Sequence, residues 1–219
     1  LEKAYLEKNV RRLEIVKTIS LKALSSGPEG STNYGILDQL IKTGQCNISL
    51  PYEYFALDYP THFGHQLKTL RVTIPTTMPP YQNFHAALNQ TMNRILLSAD
   101  QAAADALINP DGQNLSDYET IRSGYNSNQQ IALSRGVNDS GQLVLDFNDP
   151  RYMPFEGTGA ISEWTLTIDK EKNLPFLRLV EGKSMSNGSS VNIDSDTELS
   201  FDDVIIEMNI TAKDGGSTF

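Results

Sequence analysis

Residues 138–164, NDSGQLVLDFNDPRYMPFEGTGAISEW, decide how this chain folds. They open on a turn, NDSG, in which Asn and Asp tolerate positive φ and Gly closes the bend. An alternating run follows, QLVLDFN (142–148), and then an irregular segment, DPRYMPFEGTGA. A second alternating run, ISEWTLTID (161–169), carries Ile161, Trp164, Leu166 and Ile168. Strand, corner, strand reads as the centre of a β-sheet domain. The corner must change direction in few residues. Pro150 and Pro154 fix φ and remove two donors, while Gly157 and Gly159 permit the bend. Tyr152 and Phe155 are large enough to anchor the corner from beneath. Arg151 and Glu156 are placed to bridge, or to bond backbone groups that the irregular chain leaves unpaired. The expected structural corner is therefore Arg151, Tyr152, Pro154, Phe155, Glu156, Gly157, Gly159 and Trp164. The competing reading makes the same Arg and Tyr an exposed hot spot.

Working outward, further short strands appear. CNISLP (46–51) alternates and ends at a proline. QLKTLRVTIP (66–75) is the cleanest alternation in the chain, and 83–97 starts as a strand but mixes two periods. QQIALSR (129–135) is expected to form a hairpin with QLVLDFN. A weak strand is expected near Phe176–Leu179, and FDDVIIEMNITAKDGG (201–216) alternates again. Val72, Ile74, Leu145, Phe147, Trp164 and Ile206 sit at inward-compatible positions and should share one core between two sheets. Residues 98–128 read as a long insertion at a sheet edge, with a short helix capped by Ser98.

The N-terminus differs. Leu6, Val10, Leu13, Val16 and Ile19 recur at helical spacing, and 1–24 carries a net +3 against −12 for the remainder. The spacing predicts a helix over 1–24 whose apolar stripe needs a partner. Residues 25–44 read as a Gly/Pro/Ser linker and a second helix over 34–43. The expected fold is mainly β: an antiparallel β-sandwich (45–219) with an N-terminal α-helical stem and a short second helix. The opening on Leu1 is expected for a piece of a longer chain.

The chemical inventory is thin. One cysteine, Cys46, excludes an internal disulfide and reads as a buried apolar side chain. His62 and His65 stand three apart in THFGH, but Pro60 and Gly64 oppose the helix that metal sharing at this spacing needs, and His85 reads as structural. NDSG and DSDTELSFDD (194–203) lack calcium-loop spacing. The GTG of 157–159 is not a dinucleotide fingerprint. Glu53, Asp58, Glu156 and Glu163 are the candidates for a hydrolytic carboxylate pair, and spacing brings no two of them together. The acidic body argues against nucleic acid, and no apolar run reaches membrane-spanning length. The chain opens on charged residues without signal-peptide character. No catalytic residue, metal or cofactor is expected. A sandwich rich in Asp, Asn and aromatics leaves a glycan- or surface-receptor-binding module as the alternative to a protein-docking one.

Four ordered blocks carry a family resemblance: AYLEKNVRRLEIVKTISL (4–21), LPYEYFALDYPTHFGHQLKTLRVTIP (50–75), SRGVNDSGQLVLDFNDPRYMPFEGTGAISEWTLTI (134–168) and FDDVIIEMNITAKDGG (201–216). Together they resemble the C-terminal end of the A component of the bacterial insecticidal Tc toxins. The resemblance implies a non-enzymatic domain that docks the B–C cocoon, within a large homopentamer enclosing a translocation channel. It also implies an exported or secreted toxin component, with helix 1–24 as the end of the channel bundle. This chain departs from the family at GHQLKTL, where only Lys68 and Arg71 remain of a more basic stretch, and in the loops at 98–128 and 170–200.

Overall fold

A computed structural model describes residues 12–75, 83–109, 114–125, 130–136, 142–146, 155–181 and 192–216; at 83, 130–136 and 142–146 it describes the backbone alone. Two antiparallel sheets carry the fold. The first runs in the order β1 (Arg12–Ser20), β11 (Ile205–Asp214), β3 (His62–Pro75), β7 (Gln142–Asp146). The second runs β2 (Gln45–Leu50), β8 (Ile161–Ile168), β4 (Asn83–Leu96), β5 (Ile121–Tyr125). The far edge of β4 is shared: its first half pairs with β6 (Gln130–Gly136) and its second half with β5. A small ribbon of β9 (Leu177–Leu179) and β10 (Thr197–Leu199) stands apart from both sheets.

Alternation places one face of each sheet in a shared apolar core. β11 buries Ile206, Met208, Ile210 and Ala212, and β3 buries Leu67, Leu70, Val72 and Ile74. From the other sheet, Ile48, Leu50, Leu88, Trp164, Leu166 and Ile168 join the same cluster. Of the expected core set, Val72, Ile74, Trp164 and Ile206 lie in it; the side chain of Leu145 and all of Phe147 lie outside the described residues. The short helices α1 (Leu21–Ser25), α2 (Ile36–Thr43), α3 (Glu53–Ala56), α4 (Gln101–Ile108) and α5 (Ile193–Asp196) cover ends and sides of the sheets. Helix α2 buries Ile36, Leu37 and Leu40, and it stops at Gly44, whose φ of 77° suits glycine. A side chain at Gly44 would also strike the Ile168 carbonyl oxygen, so helix and strand approach closely there.

Three expectations are corrected. Residues 12–20 of the predicted N-terminal helix form β1, paired along its whole length with β11; residues 1–11 lie outside the described residues. The physical reason is that Ile15 and Ile19, four apart, share a face in a strand as well as on a helix. The β-branched run Ile15, Val16, Thr18, Ile19 favours the strand, and an uncovered edge of β11 was available to pair with it. The sandwich therefore already includes residue 12 rather than starting at 45. Second, β6 and β7 are not hairpin partners: β6 pairs with β4 in one sheet and β7 with β3 in the other. Third, the cap of α4 is Asp100, whose carboxylate accepts from the Ala102 and Ala103 amides, and not Ser98. Within the insertion, Ile121–Tyr125 is a strand of the second sheet.

Candidate functional site

The corner is built from both sheets. After Phe155 the chain runs beside β3: Gly157 N–H donates to the Leu67 carbonyl (2.8 Å), Leu67 N–H to that of Thr158 (2.8 Å), and Ala160 N–H to that of His65 (3.0 Å). Gly159 also faces β4, where a bulge falls between Gln90 and Met92. Its N–H donates to Asn93 Oδ1 (3.1 Å), and its carbonyl accepts from Gln90 Nε2 (3.3 Å). The segment is thus a strap that laces the first sheet to the second. No side chain fits at Gly159, because a Cβ would fall on the Arg94 backbone. Beneath the strap, Phe155 meets Trp164 edge-to-face at 4.7 Å. Trp164 Nε1 donates to Ser162 Oγ (2.7 Å), which donates to the Ala160 carbonyl (2.8 Å). Glu156 is exposed, with no ion-pair partner among the described residues. Arg151, Tyr152 and Pro154 lie outside the described residues.

His65 lies under the strap with 1 % of its surface exposed. Its ring packs against Tyr52 and Phe55 at 5.9 and 5.4 Å, and neither ring nitrogen has a hydrogen-bond partner. Burial, helped by the nearby His62, pushes its pKa down to about 4. It is a neutral core ring, and His62 instead meets Tyr59 edge-to-face at 5.8 Å. Burial pushes the Cys46 thiol up to about 12, which withholds the thiolate that nucleophilic chemistry needs. Among the described residues, no three metal-ligating side chains converge.

The two near edges of the sandwich differ. On β2, side chains occupy outward backbone groups. Asn33 Nδ2 donates to the Ser49 carbonyl (2.8 Å) while Asn33 Oδ1 accepts from the Ser49 N–H (2.9 Å). The Thr43 hydroxyl accepts from the Gln45 N–H (3.2 Å) and has two carbonyls in reach of its one proton, that of Gln39 at 2.8 Å and that of Gln45 at 3.0 Å. Asn173 does at His85 what Asn33 does at Ser49, accepting from its N–H and donating to its carbonyl. Lys170, 5 % exposed, donates to the carbonyls of Lys42, Asp194 and Thr197 and ties the small ribbon to the end of α2. None of these four polar residues was legible as functional in the sequence. The mixed period at 83–97 was the one trace of the bulge that seats Gly159.

Beside β1 runs a groove of about 400 Å³ lined by Thr18, Ile19, Ala23, Leu24, Pro28 and Tyr54. Lys17 closes its floor by reaching the carbonyl of Tyr54 and the carboxylate of Asp58. A second hollow of about 400 Å³ lies on the outer face of the β2–β8–β4 sheet, where Asn47, Ser49, Thr91, Glu163 and Thr165 meet. Glu163 is the single carboxylate lining that hollow.

Compared with known proteins, residues 1–186 match the family model described as Tc toxin complex TcA C-terminal TcB-binding domain. The chain is 33 % identical over 219 residues to toxin subunit YenA2 of Yersinia entomophaga, and it spans 100 % of its own length but 14 % of that relative's. It is similar in structure to Morganella morganii TcdA4, with 24 % identity, a TM-score of 0.49, and coverage of 96 % of this chain and 8 % of that one. Against the Yersinia pseudotuberculosis TcaA-TcaB structure the values are 21 %, 0.47, 97 % and 10 %.

Proposed function

We propose a docking function from one premise: the chain belongs to the family of Tc toxin complex TcA C-terminal TcB-binding domains. On this reading it is a non-enzymatic domain of a toxin A component, and it seats the B–C cocoon on the A-component channel. The observation that carries the reading is the family match across residues 1–186, which takes in the whole strap and both near edges. The strapped two-sheet body suits a rigid platform, since interfaces gain affinity from surfaces that need no ordering on contact. The parent is a homopentameric, exported component, and the chain supplies one copy of the docking surface per subunit. A glycan-binding role is less well supported, because the single tryptophan is 3 % exposed and packs under the strap rather than forming a platform.

The test is a titration of purified TcB against the parent A component, intact and with the region of this chain deleted. Saturable binding by the intact protein and its loss on deletion are expected. Undiminished binding by a deleted parent that still assembles would remove the docking role.

A further inference from the structure

We propose that the open edge of β1 is a strand-addition site that receives an extended segment of TcB, an apolar residue with an acidic residue toward the Arg12 end. The inference rests on the docking reading and says which surface serves it. The ladder shows the edge to be open. Leu21 N–H donates to the Val204 carbonyl (2.9 Å), directly after the β1–β11 pairing of Ser20 with Ile205. In an antiparallel ladder the backbone groups of successive residues point to opposite sides. Leu13, Ile15, Lys17 and Ile19 therefore turn theirs toward β11. Glu14, Val16 and Thr18 turn theirs away from the sheet, and no described side chain bonds these groups, in contrast with Ser49 and Gln45 on β2.

A nine-residue edge that no described strand covers is a pairing template, which folded proteins ordinarily blunt. Two apolar side chains of β1 are also uncovered, Val16 at 66 % and Leu13 at 40 %, while Ile15 and Ile19 are buried in the core. The groove of Ile19, Ala23, Leu24, Pro28 and Tyr54 lies alongside, where an added strand would point alternate side chains. Backbone pairing with a side-chain pocket is the usual form of strand-addition recognition. Charge selects the occupant. Glu14 is neutralised by Lys68 (2.6 Å) and Lys17 by Asp58. Among the described residues, Arg12 at one end bonds the neutral Gln66 and Thr211, and the Lys22 ammonium just past the other end has no carboxylate within ion-pair reach. The Arg12 end of the edge is thus cationic on a chain of net charge −9, whereas at the other end the Asp203 carboxylate accepts from Ser20 Oγ and from the Lys22 N–H; this fits a segment with an apolar centre and an acidic residue toward Arg12.

The variant Val16→Pro removes one outward N–H and leaves the β1–β11 ladder intact, as proline does on an edge. In the parent A component it should weaken TcB binding about tenfold or more, the loss expected when strand addition is blocked at its centre. Val16→Thr should bind as wild type does. A folded, fully assembled Val16→Pro parent with unchanged affinity overturns the proposal and leaves the docking reading standing, whereas failure of the wild type to bind TcB overturns both. Loss of subunit assembly in a folded Val16→Pro parent would assign the edge to a second copy of this chain and overturn the proposal. If Val16→Pro does not fold, hydrogen exchange on the wild-type parent decides. Added TcB should slow the Glu14, Val16 and Thr18 amides about tenfold, and unchanged exchange at all three refutes it.

Discussion

The edges of β2 and β1 lie on the same side of one sandwich and are finished in opposite ways. On β2, Asn33 takes both the N–H and the carbonyl of Ser49, as a neighbouring strand would, and Thr43 accepts from the N–H of Gln45. On β1, three outward residues, Glu14, Val16 and Thr18, alternate with inward ones, with exposed Val16 at their centre and a groove at their side. A sheet that spends two polar side chains on closing one edge is not indifferent to strand addition. On the strand-addition proposal, the open edge is where a partner strand is received, and closure of β2 keeps that strand from pairing in the wrong place.

The largest effect should come from the strap that laces the two sheets together. Trp164→Ala removes the ring that packs on Phe155 and should cost on the order of 3–5 kcal/mol, read as a fall in denaturation midpoint. Gly159→Ala should fail similarly, because its Cβ meets backbone atoms of Arg94 that cannot rotate away. If either variant melts like wild type, the two sheets are not held together by the strap.

Acid comes next. The folded-state pKa of His65 lies at about 4, below its ordinary value of 6.5. Above pH 6.5 the ring is neutral whether folded or not and the pH has no effect through it. Between 6.5 and 4 the unfolded chain binds the proton and the folded chain does not, so stability falls as pH falls. The full loss is on the order of 3 kcal/mol, and His65→Phe should flatten the stability-against-pH curve in that window. An unchanged slope in His65→Phe would place the acid sensitivity elsewhere.

Unplugging β2 tests the comparison itself. Asn33→Ala leaves the Ser49 N–H and carbonyl without their partner and should cost about 1–3 kcal/mol. It should also promote self-association at raised protein concentration, seen by sedimentation, because a second edge is now open. Destabilisation without association would mean that Asn33 is a structural bond and not an edge guard. The smallest effect belongs to the open edge: Val16→Thr should change stability by no more than about 0.5 kcal/mol in the free protein, since nothing covers that side chain.

How much of this was legible depended on the range of the interaction. Alternation in 66–75 and 161–168 reported burial that is local to each strand, and it led directly to the sandwich. The corner was legible through Gly157 and Gly159, though not its partners: Asn93 and Gln90 are polar residues in a strand pattern, and their role comes from a bulge that meets a segment 66 residues away in sequence. The N-terminal segment misled because RLEIVKTIS satisfies helical spacing and alternation equally, and the strand that settles it begins at Ile205. Asn33 stands in STNYG, where turn chemistry alone accounts for it, and nothing local announces that its amide faces Ser49.

The most direct test of the open-edge account is amide hydrogen exchange, residue by residue, in the free protein. The account predicts that Ser49 and Gln45 are protected while Glu14, Val16 and Thr18 exchange close to the rate of an unfolded peptide, with Ile15 and Lys17 on the same strand protected by β11. Equal protection along β1, at odd and even residues alike, would mean that its outer edge is already covered and would contradict the account.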